Sequence, residues 1–383
     1  MTIKTEIEDY VELSYVSSHT IFECIVGSKA YGIDTPESDQ DESGVMIPGK
    51  EYLYGMKRFD QFQGYPDQDK TIYSFKKAVQ LLSENNPNCL DLLYTPDRCI
   101  LKMTPYWKDI MENAHLFLSK KCKFTFSGYA ISQLNRIRTH RSYLLDPPKK
   151  EPLREDYGLP KSPLFETAQL KALINVEALF EYVREEEKET FLNQLDSVYA
   201  DHIIPLFSKY LKKDRKGVAL EFLQTSLQSQ LNTLLSLGQK SYIKDEYRDM
   251  AERELSYYNT LKNWKRYQEW NKSRNKARAT LEEKFGFDTK HASHLVRLMR
   301  QGVEILTSHK VNIDRTHIDA DELKAIRNGA MSFDLIEEYA SKMDKELNVI
   351  YETSTLQKSP QLEKINDLSM IIIDLYFKKE PLQ

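Results

Sequence analysis

The feature that most limits how this 383-residue chain can fold is a change of pattern near residue 108. Before it, short apolar runs stand between turn residues. Beyond it, almost every segment repeats apolar positions at helical spacing. The spacing predicts helices over 108–120, 124–145, 165–184, 188–210, 215–237, 241–284, 289–308, 319–328, 332–349 and 361–377, interrupted by a Pro-rich loop from Asp146 to Pro163. Taken together these patterns describe an α+β chain, with a small mixed sheet in residues 1–108 and a large, mostly α-helical region in 109–383. The length exceeds what one small core organises, which agrees with two domains. No fixed repeat period runs through the helices, so a solenoid is not expected.

Within the first region, residues 5–16 suit a short helix and 20–26 a buried strand. A second strand is expected at 45–48, stopped by Pro48-Gly49. From Glu51 to Gly64 the signals are mixed, a loop with a short helix. A third strand follows Asp69, where Thr71, Tyr73 and Phe75 alternate with Ile72 and Ser74. Lys76 to Glu84 then reads as a helix ending near Asn86-Pro87, and Cys89 to Tyr94 as a helical turn or short strand.

The loop between the first two strands carries the chemistry. Gly27 and Ser28 follow an apolar run, where free backbone N–H groups and a hydroxyl suit phosphate oxygens. Asp39 and Asp41 are two residues apart, so on an extended segment both point to one side. Two carboxylates so placed can hold Mg2+ against a triphosphate.

The order Gly-Ser, spacer, Asp-x-Asp resembles the nucleotidyltransferase superfamily of DNA polymerase beta. More narrowly, Gly-Ser-x-Ala-Tyr-Gly (27–32) with Thr-Pro-x-Ser-Asp-x-Asp (35–41) resembles the nucleotidyltransferases associated with RNA repair, a family common in phages. Ser43 stands where that family usually has Arg. The resemblance implies a third carboxylate for a two-ion site; Asp69 is the choice, with Asp67, Asp91 and Asp60 as rivals. It also implies nucleotide contacts by Gly27, Ser28 and Ser38. Farther on, Lys290-His291-Ala292-x-His294-Leu295-x-Arg297-Leu298 is similar to the family's second signature, and Leu323 to Gly329 to a third. Lys290, His294 and Arg297 are therefore expected to face the triphosphate from the helical side. His291 and His294 lack a Cys or third His nearby in sequence, which argues against zinc.

The net charge of -4 excludes a globally basic nucleic-acid coat, so any such surface must be local. Two stretches qualify. Arg136 and His140 share a helical face that runs into Arg138, Arg141, Lys149, Lys150 and Arg154. Lys262 to Arg278 interleaves Lys272, Arg274 and Lys276 with Trp264, Tyr267 and Trp270. Each pattern also fits a solvated face on a packed helix. The cysteines, Cys24, Cys89, Cys99 and Cys122, show no Cys-x-x-Cys spacing and read as buried thiols of a reducing compartment. With no long apolar run and no signal-peptide pattern at the start, a cytoplasmic protein without membrane contact is expected.

The resemblance thus implies an enzyme that uses two Mg2+ ions to move a nucleoside monophosphate from an NTP to an acceptor hydroxyl, with an RNA 3′ end, tRNA or a repair intermediate as acceptor. Transfer to a protein side chain, as in toxin–antitoxin nucleotidyltransferases, and a non-catalytic nucleotide- or RNA-binding module are the alternatives. Base preference, templating and oligomeric state are not legible.

Overall fold

The computed structural model describes residues 12–36, 38–64, 69–163, 245–274 and 276–379. Asp67, the helices predicted over 165–184, 188–210 and 215–237, and the side chain of Lys276 lie outside the described residues. An N-terminal five-stranded mixed sheet with helices precedes a mostly helical chain. The chain forms two compact units: residues 1–146 with 275–383, and residues 147–274.

In the first unit, α1 (Leu13–His19) leads into β1 (Thr20–Val26), α2 (Gly27–Tyr31), β2 (Asp41–Met46), α3 (Lys50–Leu53), β3 (Gln61–Gln63) and β4 (Lys70–Ser74). Then come α4 (Phe75–Ser83), α5 (Pro87–Leu93), β5 (Ile100–Met103), α6 (Pro105–Glu112) and α7 (Cys122–Leu145). The sheet order is β3-β4-β2-β1-β5, with β2 and β4 parallel and the other neighbours antiparallel.

Caps and turn residues set the breaks. Ser74 caps α4 by accepting from the Lys77 N–H at 3.3 Å. Asn86 caps α5, with Pro87 in its first turn, where a missing N–H costs nothing. Asn85, between these helices, has φ +54° and is fully buried; its amide donates to the Phe117 carbonyl at 2.7 Å and its oxygen accepts from the Ser119 hydroxyl at 2.7 Å. A side-chain hydrogen-bond network thus holds a backbone conformation that Asn tolerates better than most residues.

Three expectations shift here. Within 51–64, expected as a loop with a short helix, Gln61–Gln63 pairs with β4 as the short edge strand β3, too short to show a period in the sequence. β2 begins at Asp41 rather than at 45, because Val26 pairs with Asp41 and Glu42 with Lys70 across the ladders; partners on both sides extend a segment whose polar residues do not read as strand. β5 was not expected at all. It is a four-residue edge strand, and Lys102 opposite Glu23 breaks any apolar run.

The same unit continues with α9 (Lys276–Phe285), α10 (Thr289–Ser308), α11 (Ala320–Arg327), α12 (Phe333–Thr353) and α13 (Leu362–Lys379), α8 being the helix of the second unit below. One continuous core joins the sheet to this bundle: Phe22, Cys24 and Val45 with Trp107 of α6, Phe126 and Ile137 of α7, and Leu295 and Leu298 of α10. Phe22 stacks on Trp107 at 5.2 Å. A smaller cluster of Val16, Met46 and Ile72 forms apart from this core. All four cysteines are buried free thiols.

The second unit contains α8 (Asp245–Ser273) and a short 3₁₀ turn, Arg154–Tyr157. Arg154 bonds the carboxylate of Glu254, which is fully buried, and stacks over Tyr257 at 5.3 Å. The helix expected over 241–284 is therefore two, α8 and α9, parted around Arg274. No helix among the described residues is long and apolar enough to cross a membrane.

Candidate active site

The strand ladders bring the three chosen carboxylates to one end of the sheet. Val26 lies opposite Asp41, and the Glu42 N–H donates to the Asp69 carbonyl at 2.8 Å, so Asp41 and Asp69 stand at the starts of the neighbouring parallel strands β2 and β4. Oxygens of Asp39, Asp41 and Asp69 lie within 4.8 Å of one another. Asp39 and Asp69 are exposed and Asp41 is half-buried. Asp60 is at the other end, where its carbonyl accepts from the Ser74 N–H at 2.8 Å. Asp91 is buried in α5 and accepts a hydrogen bond from the Tyr31 hydroxyl.

Burial first, and then the hydrogen bond that protonated Asp41 donates to Asp69 and the charges of Asp39 and Asp69, push the Asp41 carboxyl up to about 6, with Lys290 opposing. Lys290, in the first turn of α10, supplies the positive charge that opposes this shift. A folded pKa above the unfolded one means the folded state holds the extra proton between about pH 4 and 6. Stability from this group is therefore lost as pH rises through that window. In chelator, Asp41→Asn is expected to melt progressively higher than the unmodified protein as pH goes from 4 to 6, and added Mg2+ to narrow the gap. Thermal melts across pH, with and without Mg2+, check this.

Gly27 begins α2 with φ +68°, and a Cβ there would lie 2.4 Å from the Asp41 carboxylate oxygen Oδ2. Only a residue without Cβ lets the Gly-Ser turn close against the carboxylates. Gly27→Ala is expected to cost about 1–2 kcal/mol from the left-handed backbone alone and to displace Asp41. A lower melting temperature together with weaker Mg2+ protection is the result to look for.

No side chain caps the N-terminus of α2. The C-terminal side of the turn is tied down by groups far away in sequence. Arg98 donates to the carbonyls of Lys29 and Ala30 at 2.9 and 3.0 Å and pairs with Asp314 at 2.9 Å. The Arg315 N–H donates to the Tyr31 carbonyl at 3.0 Å. Arg315 itself is wholly buried and pairs with Glu304 at 2.8 Å and Asp319 at 2.7 Å. Gly32, at φ +69°, leaves room for Thr316, whose hydroxyl would lie 2.4 Å from an added Cβ.

The other predicted residues divide. Ser38 closes its own loop, its hydroxyl accepting from the Thr35 N–H at 2.9 Å. Ser43 donates to the Thr71 carbonyl at 3.1 Å inside the sheet. Arg297 is 2% exposed; its guanidinium lies 3.7 Å from the Tyr31 ring centre and donates to Gln301 at 2.6 Å. It thus supports the Gly-Ser turn from beneath. Burial, and then the charges of Arg297, His291 and Lys290, hold His294 well below its ordinary pKa, so its ring is neutral at pH 7. Burial raises Asp91 to about 6, against the pull of Arg297 and of the Tyr31 hydroxyl. Sequence reasoning missed the supports Tyr31, Arg98, Asp314 and Arg315. Of these only Tyr31 had a signal, its place in the Gly-Ser-x-Ala-Tyr-Gly motif.

Of the residues expected to contact nucleic acid, Arg136 is exposed on α7, whereas His140 is partly buried, its ring 6.1 Å from that of His291. Arg138 pairs with Glu337 at 2.6 Å and Arg141 stacks on Phe333 at 4.7 Å. On α8, Trp264, Tyr267 and Trp270 form a row with ring centres 6.2 and 6.0 Å apart. Lys272 is exposed there, and Arg274 lies 4.9 Å from the Trp270 ring.

Residues 2–145 match the family described as RlaP, the RNA repair pathway DNA polymerase beta family. The chain is similar to an uncharacterized 38.9 kDa protein in the nrdC-mobD intergenic region of Enterobacteria phage T4, with 28% identity over 137 residues. That similarity covers 33% of this chain and 40% of the phage protein, so the chain spans well under half of that relative's length. No solved structure matches the chain.

Proposed function

We propose that the protein is a nucleotidyltransferase that moves a nucleoside monophosphate from an NTP to an acceptor hydroxyl, with an RNA end as the favoured acceptor. The observation that carries this reading is the Gly27-Ser28 turn set directly against the Asp39, Asp41 and Asp69 carboxylates, inside a segment similar to the polymerase beta family. An all-oxygen donor set with an acid pushed up to about 6 by burial and by its acidic neighbours fits a hard divalent cation. Asp39, Asp41 and Asp69 would hold Mg2+, which when bound neutralises phosphate charge and lowers the pKa of the attacking hydroxyl.

The chain's own groups do the rest. Gly27 and Ser28 present backbone and hydroxyl to the outer phosphates. Lys290 balances charge beside Asp41, and neutral His294 offers a hydrogen bond without adding charge. Arg297 fixes Tyr31, and Arg98 the carbonyls behind it, so the turn is held before substrate arrives. Trp264, Tyr267 and Trp270 with Lys272 and Arg274 supply a surface for unpaired bases and backbone phosphates.

Incubating the protein with each labelled NTP, Mg2+ and a mixed RNA and protein extract identifies the acceptor. Label in RNA, reduced in a Lys272→Ala/Arg274→Ala variant with a shallower salt dependence, supports an RNA acceptor. Label in protein instead supports side-chain nucleotidylation, and no label a binding module.

A further inference from the structure

We propose that His140, Asp288 and His291 form a second divalent-metal site, distinct from the carboxylate cluster and suited to a transition ion of the Zn2+ class. His140 lies near the end of α7; Asp288 caps α10 and His291 is in its first turn. One ligand atom from each lies within 4.8 Å of the others, and His291 Nε2 is 3.5 Å from Asp288 Oδ2. Tetrahedral coordination with bonds of about 2.0–2.1 Å sets ligand atoms about 3.3 Å apart, so a contraction of the cluster from within 4.8 Å completes the set.

The carboxylate is aimed for this role. Its Oδ1 accepts the His291 N–H at 3.0 Å as the helix cap, which fixes the plane of the group. Its Oδ2 is buried and has no hydrogen-bond partner, in a residue only 1% exposed. Leaving such an oxygen without a partner is costly, and a cation beside the two imidazoles would remove that cost. Two imidazoles and one carboxylate favour a borderline ion, whereas the three carboxylates favour Mg2+, so the two clusters would sort ions by donor type. Three protein ligands leave one position for water. An ion here would join α7 to the start of α10, next to Lys290.

The test uses the full chain carrying Asp39→Asn and Asp41→Asn, which silences the other cluster. After loading with Zn2+ and extensive dialysis, metal analysis should find about one Zn2+ per chain, and Co2+ in its place should give visible d–d absorption bands. Adding Asp288→Asn, which keeps a good helix cap, should weaken Zn2+ binding by about 10-fold or more, and His140→Gln likewise. Circular dichroism confirms that each variant is folded. No retained Zn2+, or binding unchanged in folded Asp288→Asn and His140→Gln variants, would overturn the proposal and leave Asp288 as a helix cap alone.

Discussion

Replacing Asp39 and Asp41 together by Asn is expected to lower nucleotide transfer by about 10³-fold or more. A bound ion contributes several kcal/mol of transition-state stabilisation, and each 1.36 kcal/mol is tenfold in rate. The variant should still fold, because Asp39 is exposed and a neutral Asn at 41 escapes the burial cost and carboxylate repulsion that raise Asp41 to about 6. Loss of rate with an unchanged or higher melting temperature in chelator distinguishes lost chemistry from a damaged fold. Single-turnover transfer assays beside thermal melts measure both.

The second large effect concerns stability. Arg297→Ala should destabilise the protein by about 3–5 kcal/mol, as expected when a buried charge loses its compensation. Arg297 stacks on Tyr31 at 3.7 Å, bonds Gln301 and holds down the pKa of buried Asp91. Without it Asp91 would rise further, and the Tyr31 ring would lose the plane it rests on. Arg297→Lys should recover only part of the loss, because an ammonium neither stacks nor spans that geometry. At 2–4 °C per kcal/mol, the alanine variant should melt on the order of 10 °C lower by circular dichroism.

The elements most readable from sequence were those with strong periodicity: β1, β4, α7 and α10 were expected within a few residues of where they lie. The site's outline was also readable, because Gly27-Ser28 and Asp39-x-Asp41 are close in sequence and sit on a strand–turn–strand. Asp69 could be chosen only as one of several acids, since what brings it beside Asp41 is the parallel pairing of β2 with β4, a long-range choice that no local pattern records. Long-range packing also decides the roles of the cations. Lys290, His294 and Arg297 share one short motif, yet Lys290 acts on Asp41, His294 is neutral and Arg297 lies beneath Tyr31. The His140–Asp288–His291 group was illegible for the same reason: its third member comes from another helix, so the lack of a Cys or third His near His291 and His294 in sequence argued against zinc.

The most direct test of the central claim follows the phosphates of the NTP. With Mg2+ and an acceptor RNA, label on the α-phosphate should become attached to the RNA, while label on the γ-phosphate leaves in pyrophosphate. Both signals should vanish in chelator and in Asp41→Asn. Transfer of the γ-phosphate, release of inorganic phosphate without α-label in the RNA, or α-label transfer that persists in Asp41→Asn would contradict the account.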